Sequence, residues 1–420
     1  MIEISRYILA TMVAQTHLWP LGAAWTGNIA VFAFYTLSGY LMTRVLNERY
    51  GFSARGTVAF LLNRVLRLWP AYLAILGLTL IALSFLPLSN FFSLIRMPTT
   101  LANIVTNLAI LGQVTFDFRQ WVPLAKPVVT SWSLSIELFS YVLLALYCAR
   151  TSARLWAFAT VGAVAMAIST WHCAVGPEPA AYGPYCGQNR YGVLQAGFIP
   201  FAMGGLFYFH RDALRVLIKA NWLALIVLLI AGHAAMFLGN ALTATIGSYL
   251  GIGVMFCLLS IWKEETASRT QDFFGRASYH LFIGHMPIAA VLVTGLGLRA
   301  DSMFVFFATL VVALALSTGL VPMEHTINLV RQCISSLVPQ GETHGHSHPA
   351  RIGQPSTPQG GNNQEGYTRR TDPTSNQGCR VSNLPPHLYN AGRGRKRVHR
   401  ARPQTAAEKA PGLITGECRH

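Results

Sequence analysis

Between residues 6 and 322 the chain returns repeatedly to apolar runs of about 17 or more residues, broken by short polar or basic stretches. A helix needs about 20 such residues to cross a hydrocarbon layer roughly 30 Å thick. In lipid, each segment must pair its own backbone N–H and C=O groups, so only helices and closed barrels cross. The runs are continuous, not alternating, which selects helices. Composition agrees: only 11% of the 420 residues are charged and 52% are hydrophobic, where a soluble domain carries about 25% charged residues. The fold class is therefore all-α, a polytopic helical membrane protein.

Ten spans are predicted, at 6–24, 28–44, 70–87, 132–149, 154–174, 193–209, 221–238, 243–262, 278–297 and 302–322. A further apolar piece, 101–114, is too short to cross and is expected as a partial or surface-lying segment. Basic residues test the count. One set of loops holds Arg44, Arg49, Arg55, Arg64, Arg67, Arg150, Arg154, Arg211, Arg215, Lys219, Lys263, Arg269, Arg276 and Arg331. The alternate loops hold only Arg96, Arg119, Lys126, Arg190 and Arg299. Ten spans put the rich set on one side, which the positive-inside rule makes cytoplasmic, with both termini inside a plasma (inner) membrane. The first run lacks a basic lead-in and a small-residue cleavage site, and is expected to be retained as a span.

Residues 336–420 differ in composition, rich in Gly, Pro, Ser, Asn, Gln and Arg, and are expected as a disordered basic cytoplasmic tail behind a membrane domain at 1–335. The net charge of +16 reports membrane orientation and this tail, so nucleic acid is not an expected partner. The run at 393–397 suits anionic lipid headgroups. His344, His346 and His348 alternate in disordered sequence, and no metal site is assigned. Cys173 and Cys186 flank an external loop, as a disulfide or as two free thiols.

Chemistry is expected where polar groups enter apolar runs. Arg6 and His17 lie eleven residues apart, so they share a helix face about 16 Å apart along the axis, with only Ala10 and Val13 between them. With Arg6 at an interface, His17 falls near mid-membrane, where an imidazole is costly and points to function. The structural alternative is an anchor at Arg6 and a hydrogen-bonded interior histidine. Glu137 is the acidic residue inside a span, with Ser133 and Tyr141 on its face at i−4 and i+4. It is expected to orient the His17 imidazole, as a base-and-orienter pair requires; packing against another helix is the alternative. Arg64 and Arg67 share a face just ahead of Trp69 and Pro70, and two guanidiniums so placed suit a phosphate or serve as topology anchors. Ser38 and Gly39 form a small step that allows close helix approach. His285 lies two or three turns into a late span, just before Pro287, which frees a backbone carbonyl. His233 reads as core packing.

Taken together, these stretches resemble the acyltransferase 3 family, integral membrane enzymes that acylate sugars of surface polysaccharides, Nod factors and some antibiotics. The resemblance rests on Arg6 with His17, on F-Y-T-L-S-G-Y-L at 34–41, on Arg64 and Arg67 leading to Trp69 and Pro70, on Trp132 to Glu137, and on Ser278, Tyr279, His285 and Pro287. It covers roughly residues 1–330. The chain departs from the pattern at Ala30, Val31 and Phe32, where Gly-Val-Asp is common, at Phe282, and at Gly284.

The resemblance implies an acyl-CoA donor, usually acetyl-CoA, met from the cytoplasm with no bound cofactor, and a glycan or lipid-linked sugar hydroxyl as acceptor. It implies His17, Glu137 and Arg6 as the catalytic set, Arg64 and Arg67 as donor-binding, and Ser38, Trp132, Ser133, Tyr141 and His285 as pocket residues. Direct transfer and an acyl-histidine relay both remain open. The alternative class is a proton-coupled transporter with His17, Glu137 and His285 as a proton path; an internal repeat would favour it, and the sequence shows none.

Overall fold

The computed structural model describes residues 2–19, 26–111, 113–114, 125–175, 192–238, 247–263 and 268–336. Among the described residues the regular structure is helical, without strands. In chain order the helices are α1 (Ile2–Leu18), α2 (Thr26–Val45), α3 (Ala54–Leu83), α4 (Leu101–Ala109), α5 (Ser131–Leu146), α6 (Ser152–Val175) and α7 (Phe198–Phe209). They continue as α8 (Arg211–Ala220), α9 (Trp222–Leu238), α10 (Leu250–Ile261), α11 (Arg269–Leu296), α12 (Met303–Gly319) and α13 (Val321–Ser336). The tail from 337, the loop at 176–191 with Cys186, and the Cys173 side chain lie outside what is described.

Each of the ten expected segments holds a helix. By length and apolarity α2 (as a continuous Thr26–Tyr50), α3, α6 and α11 can cross a membrane alone. The bent pairs α8–α9 (81°) and α12–α13 (53°) raise the candidate spans to six, and α5 and α10 are shorter apolar helices. The 101–114 piece is helical only through Ala109, and exposes Leu101, Ile104, Val105 and Leu108. It is tied down by Trp69 Nε1 donating to Leu108 O (2.9 Å) and Tyr72 OH donating to Asn107 O (2.7 Å).

One boundary differs markedly from expectation. The helix that carries the span expected at 70–87 begins at Ala54, where Ser53 caps it by accepting from Gly56 N–H at 3.1 Å. Pro70 lies inside this helix, so Arg64 and Arg67 belong to the same continuous rod as the apolar residues that follow.

Contacts fix helix direction. Glu3 lies against Gly275 and His17 against His285, so α1 and α11 run the same way. Leu68 with Tyr279 and Ile75 with Gly284 make α3 run with α11. On the other set, α2 runs with α5 through Tyr35–Ser133 and Ser38–Glu137, with α7 through Gly39–Phe201 and Thr43–Gly205, and with α10 through Ile29–Gly251 and Tyr40–Trp262. Helices α6 and α7 run oppositely, through Leu155–Gly205 and Gly162–Phe198. Odd segments agree with odd and even with even, the order that alternate crossing imposes.

The α2–α7 contact is the tightest. A Cβ at Gly204 would fall 1.9 Å from Thr36 O, and one at Gly39 2.1 Å from Phe201 O. Small residues let the two backbones touch, which is how helices associate where lipid removes the hydrophobic driving force.

Candidate functional site

Five helices line a small pocket that opens to solvent. Each presents one helical face to it: Arg6 from α1, Phe34 and Ser38 from α2, Arg64 and Arg67 from α3, Ser133, Glu137 and Tyr141 from α5, and Ser278, Tyr279 and Phe282 from α11. The i, i+4, i+8 spacing on α5 points three polar groups in one direction.

Glu137 accepts from Ser38 Oγ at 2.9 Å and from the Tyr141 hydroxyl, one turn on. Its carboxylate is therefore satisfied from α2 and from its own helix. Arg6 pairs with Glu3 at 3.4 Å. Arg64 is 7% exposed, donates to Asn63 Oδ1 at 3.4 Å, lies 5.6 Å from the centre of the Phe60 ring, and leaves its buried Nε without a partner. An orphaned guanidinium N–H on a cavity wall is a ready anion contact. Arg67 is exposed and makes no hydrogen bond or ion pair among the described residues.

A second polar group lies beyond Phe282. His17 Nδ1 and His285 Nε2 are 2.9 Å apart, with ring planes 10° from parallel. His285 Nδ1 lies 3.2 Å from Leu281 O and 3.0 Å from Phe282 O. Carbonyl oxygens only accept, so Nδ1 of His285 carries the proton and its Nε2 a lone pair. With both rings neutral, that lone pair accepts from His17 Nδ1–H, leaving the lone pair of His17 on Nε2. His285 is fully buried while His17 is exposed. The arrangement is an oriented imidazole base whose lone pair lies on Nε2.

Pro287 removes the N–H that Ile283 O would accept from. The Thr130 hydroxyl reaches that oxygen at 3.5 Å, the outer limit for such a contact.

The structure thus separates two residues expected to meet. Glu137 does not contact His17; its hydroxyl partners come from α2 and α5, and the partner of His17 is His285 from α11. Arg6, Arg64, Arg67, Ser38, Ser133 and Tyr141 gather around Glu137 in the cavity. Trp132 does not line it and packs near Gly192. Ala10 and Val13, between Arg6 and His17 on the α1 stripe, are both buried. Sequence reasoning passed over His280, whose Nε2 lies 3.3 Å from Glu324 and whose Nδ1 lies 3.1 Å from Ser317 Oγ. Its spacing from His285 gave no periodic signal, and Glu324 comes from a distant helix. Among the described residues no cluster of three His, Cys, Asp or Glu has the arrangement to hold a metal ion.

A family model described as "Acyltransferase domain", of the acyltransferase 3 type, matches residues 2–321. No curated protein and no solved structure matches the chain.

Proposed function

The chain belongs to the acyltransferase 3 family and is a membrane acyltransferase, and on that premise we propose that it moves an acyl group, acetyl in the simplest case, from acyl-CoA to a hydroxyl of a surface glycan or glycosylated metabolite. What carries the reading is the backbone–His285–His17 chain, which leaves the lone pair of His17 on Nε2.

In this mechanism His17 Nε2 takes the proton of the acceptor hydroxyl as its oxygen attacks the thioester carbonyl. The C–O bond forms, the C–S bond breaks, and the proton passes to the departing CoA thiolate. His285 is a positioning residue that fixes the tautomer and tilt of His17. Arg64 and Arg67 hold donor phosphates from the cytoplasmic side, and Arg6 steadies negative charge on the donor. Glu137 holds Ser38 and Tyr141 in place and balances a cavity that three arginines make positive. The protein sits in the plasma (inner) membrane, with both termini in the cytoplasm.

The test uses membranes carrying the full chain, labelled acetyl-CoA and a crude glycan fraction, with wild type compared to His17→Ala at equal protein level. Label in glycan that disappears in the variant supports the reading. Equal labelling by both removes His17 from the chemistry. Absence of labelling across a panel of acyl-CoAs refutes the donor class.

A further inference from the structure

The family match ends at residue 321, and the next helix, α13, runs from Val321 to Ser336. It is held firmly on the domain. Arg331 Nε donates to Asn63 Oδ1 at 2.9 Å, Asn63 Nδ2 donates to Arg331 O (3.3 Å) and Ser335 Oγ (3.2 Å), and Tyr50 OH bonds Ser335 Oγ at 2.9 Å. Asn63 is 3% exposed, and among the described residues its side chain bonds only to this helix and to its neighbour Arg64. So a buried amide of α3 is satisfied by a helix outside the matched region.

Docked there, α13 forms one wall of a second cavity, which opens to solvent. Arg67 and Tyr279 line both cavities and so stand between them. Three guanidiniums from three helices face the second one: Arg67, Arg276 and Arg331. Three carboxylates also face it: Glu3, Asp272 and Glu324. Their pairing is unequal. Glu324 is taken by Arg276 at 3.1 Å and lies 3.3 Å from His280, and Glu3 is taken by Arg6 at 3.4 Å. Arg331 holds only neutral partners, the Asn63 oxygen and Asn328 Oδ1 at 2.7 Å, and Arg67 holds none among the described residues. Against these two cations stand Asp272 and, within electrostatic reach of Arg67 but already paired with Arg276, Glu324. Arg67 is near enough to both Arg64 and Arg331 to repel them. A multiply charged anion relieves that repulsion, and forked guanidiniums match phosphate oxygens.

We infer that α13 completes a phosphate-binding subsite in which Arg331, with Arg67, takes the phosphate groups of a nucleotide-bearing acyl donor. Asn63 and Asn328 hold Nε and Nη1 of Arg331, and its Nη2 makes no hydrogen bond among the described residues. The shared wall of Arg67 and Tyr279 sets this subsite beside the Arg64 and Arg67 donor contacts of the proposed function, which favours a donor over a lipid headgroup. The inference rests on the acyl-CoA reading above.

The experiment measures CoA binding by titration calorimetry on the purified full chain in lipid nanodiscs, for wild type, R331Q, R331K and His17→Ala. Loss of one charged phosphate contact is expected to weaken CoA about tenfold in R331Q, with R331K within about threefold of wild type and His17→Ala unchanged. Raising salt should narrow the gap between wild type and R331Q. Equal CoA affinity in wild type and R331Q overturns the subsite while leaving the acyl-CoA reading intact. Equal weakening by R331Q and R331K with a lowered melting temperature makes Arg331 a packing residue and also overturns it. An R331Q defect seen only with added phosphatidylglycerol assigns the cavity to lipid and overturns it. No CoA binding by wild type refutes the donor reading and the subsite together.

Discussion

Replacing His285 by Ala removes the acceptor that holds His17 Nδ1–H at 2.9 Å and nothing that touches the proposed substrates. The imidazole of His17 then divides between two tautomers and gains rotational freedom. A neutral hydrogen bond contributes about 0.5–1.5 kcal/mol net, so losing this one lowers the correctly presented fraction by roughly two- to twelvefold. Removing the base altogether in His17→Ala costs about 10²–10⁴-fold. The expected pattern is therefore a fall of about tenfold in kcat for His285→Ala, with KM for acyl-CoA unchanged, and a much larger fall for His17→Ala. The double variant should be no slower than His17→Ala alone, because an orienter without its base has nothing to orient. The assay is the initial rate of labelled acyl transfer in nanodiscs, normalised to folded protein. Two further independent multiplicative losses in the double variant would refute the coupling, and so would wild-type turnover in His285→Ala.

Two other outcomes follow from buried positions. Lys126, 7% exposed between α4 and α5, donates to Gln113 O at 3.2 Å, and burial holds its ammonium down at about 8 against 10.5 for a free lysine. Between those values the unfolded chain binds more protons than the native one, so native stability rises with pH across that window, by at most about 3 kcal/mol; melting curves of wild type should gain on Lys126→Met from pH 8 to 10, and parallel curves would contradict the burial. In Gly204→Ala the new Cβ meets Thr36 O at 1.9 Å and Tyr40 N at 2.7 Å, both backbone atoms that cannot rotate away; overpacking of this kind costs about 1–3 kcal/mol, to be read as a lowered melting temperature, and an unchanged one would mean that α2 and α7 do not touch there.

Local spacing carried much of this structure. The i+4 step from Glu137 to Tyr141 became a hydrogen bond, the Ser38–Gly39 step became the close α2–α7 approach, and each expected span holds a helix. The errors lie where partners are remote or signals compete. His17 and His285 are 268 residues apart, and no periodicity announces which of two polar groups will meet a third. Glu137 looked like the orienter because it was the acidic residue inside a span, yet a short hydroxyl on α2 satisfied it first. The expected span began at Pro70, where the chain turns apolar, while the helix that carries it begins at the Ser53 cap seventeen residues upstream. The role of α13 lay beyond the last expected span, and its tie to Asn63 joins residues 268 apart in sequence.

The contact between Thr130 and Ile283 O has a mechanical consequence. Thr130 immediately precedes α5, which bears Glu137 and Tyr141, while Ile283 lies two residues before the buried histidine of α11. Proline deprives that carbonyl of its own helix's donor, so a neighbouring helix supplies one instead. Sliding α5 along α11 would separate this pair, so the contact lies where the arginine-lined chamber and the imidazole pair would shift against each other.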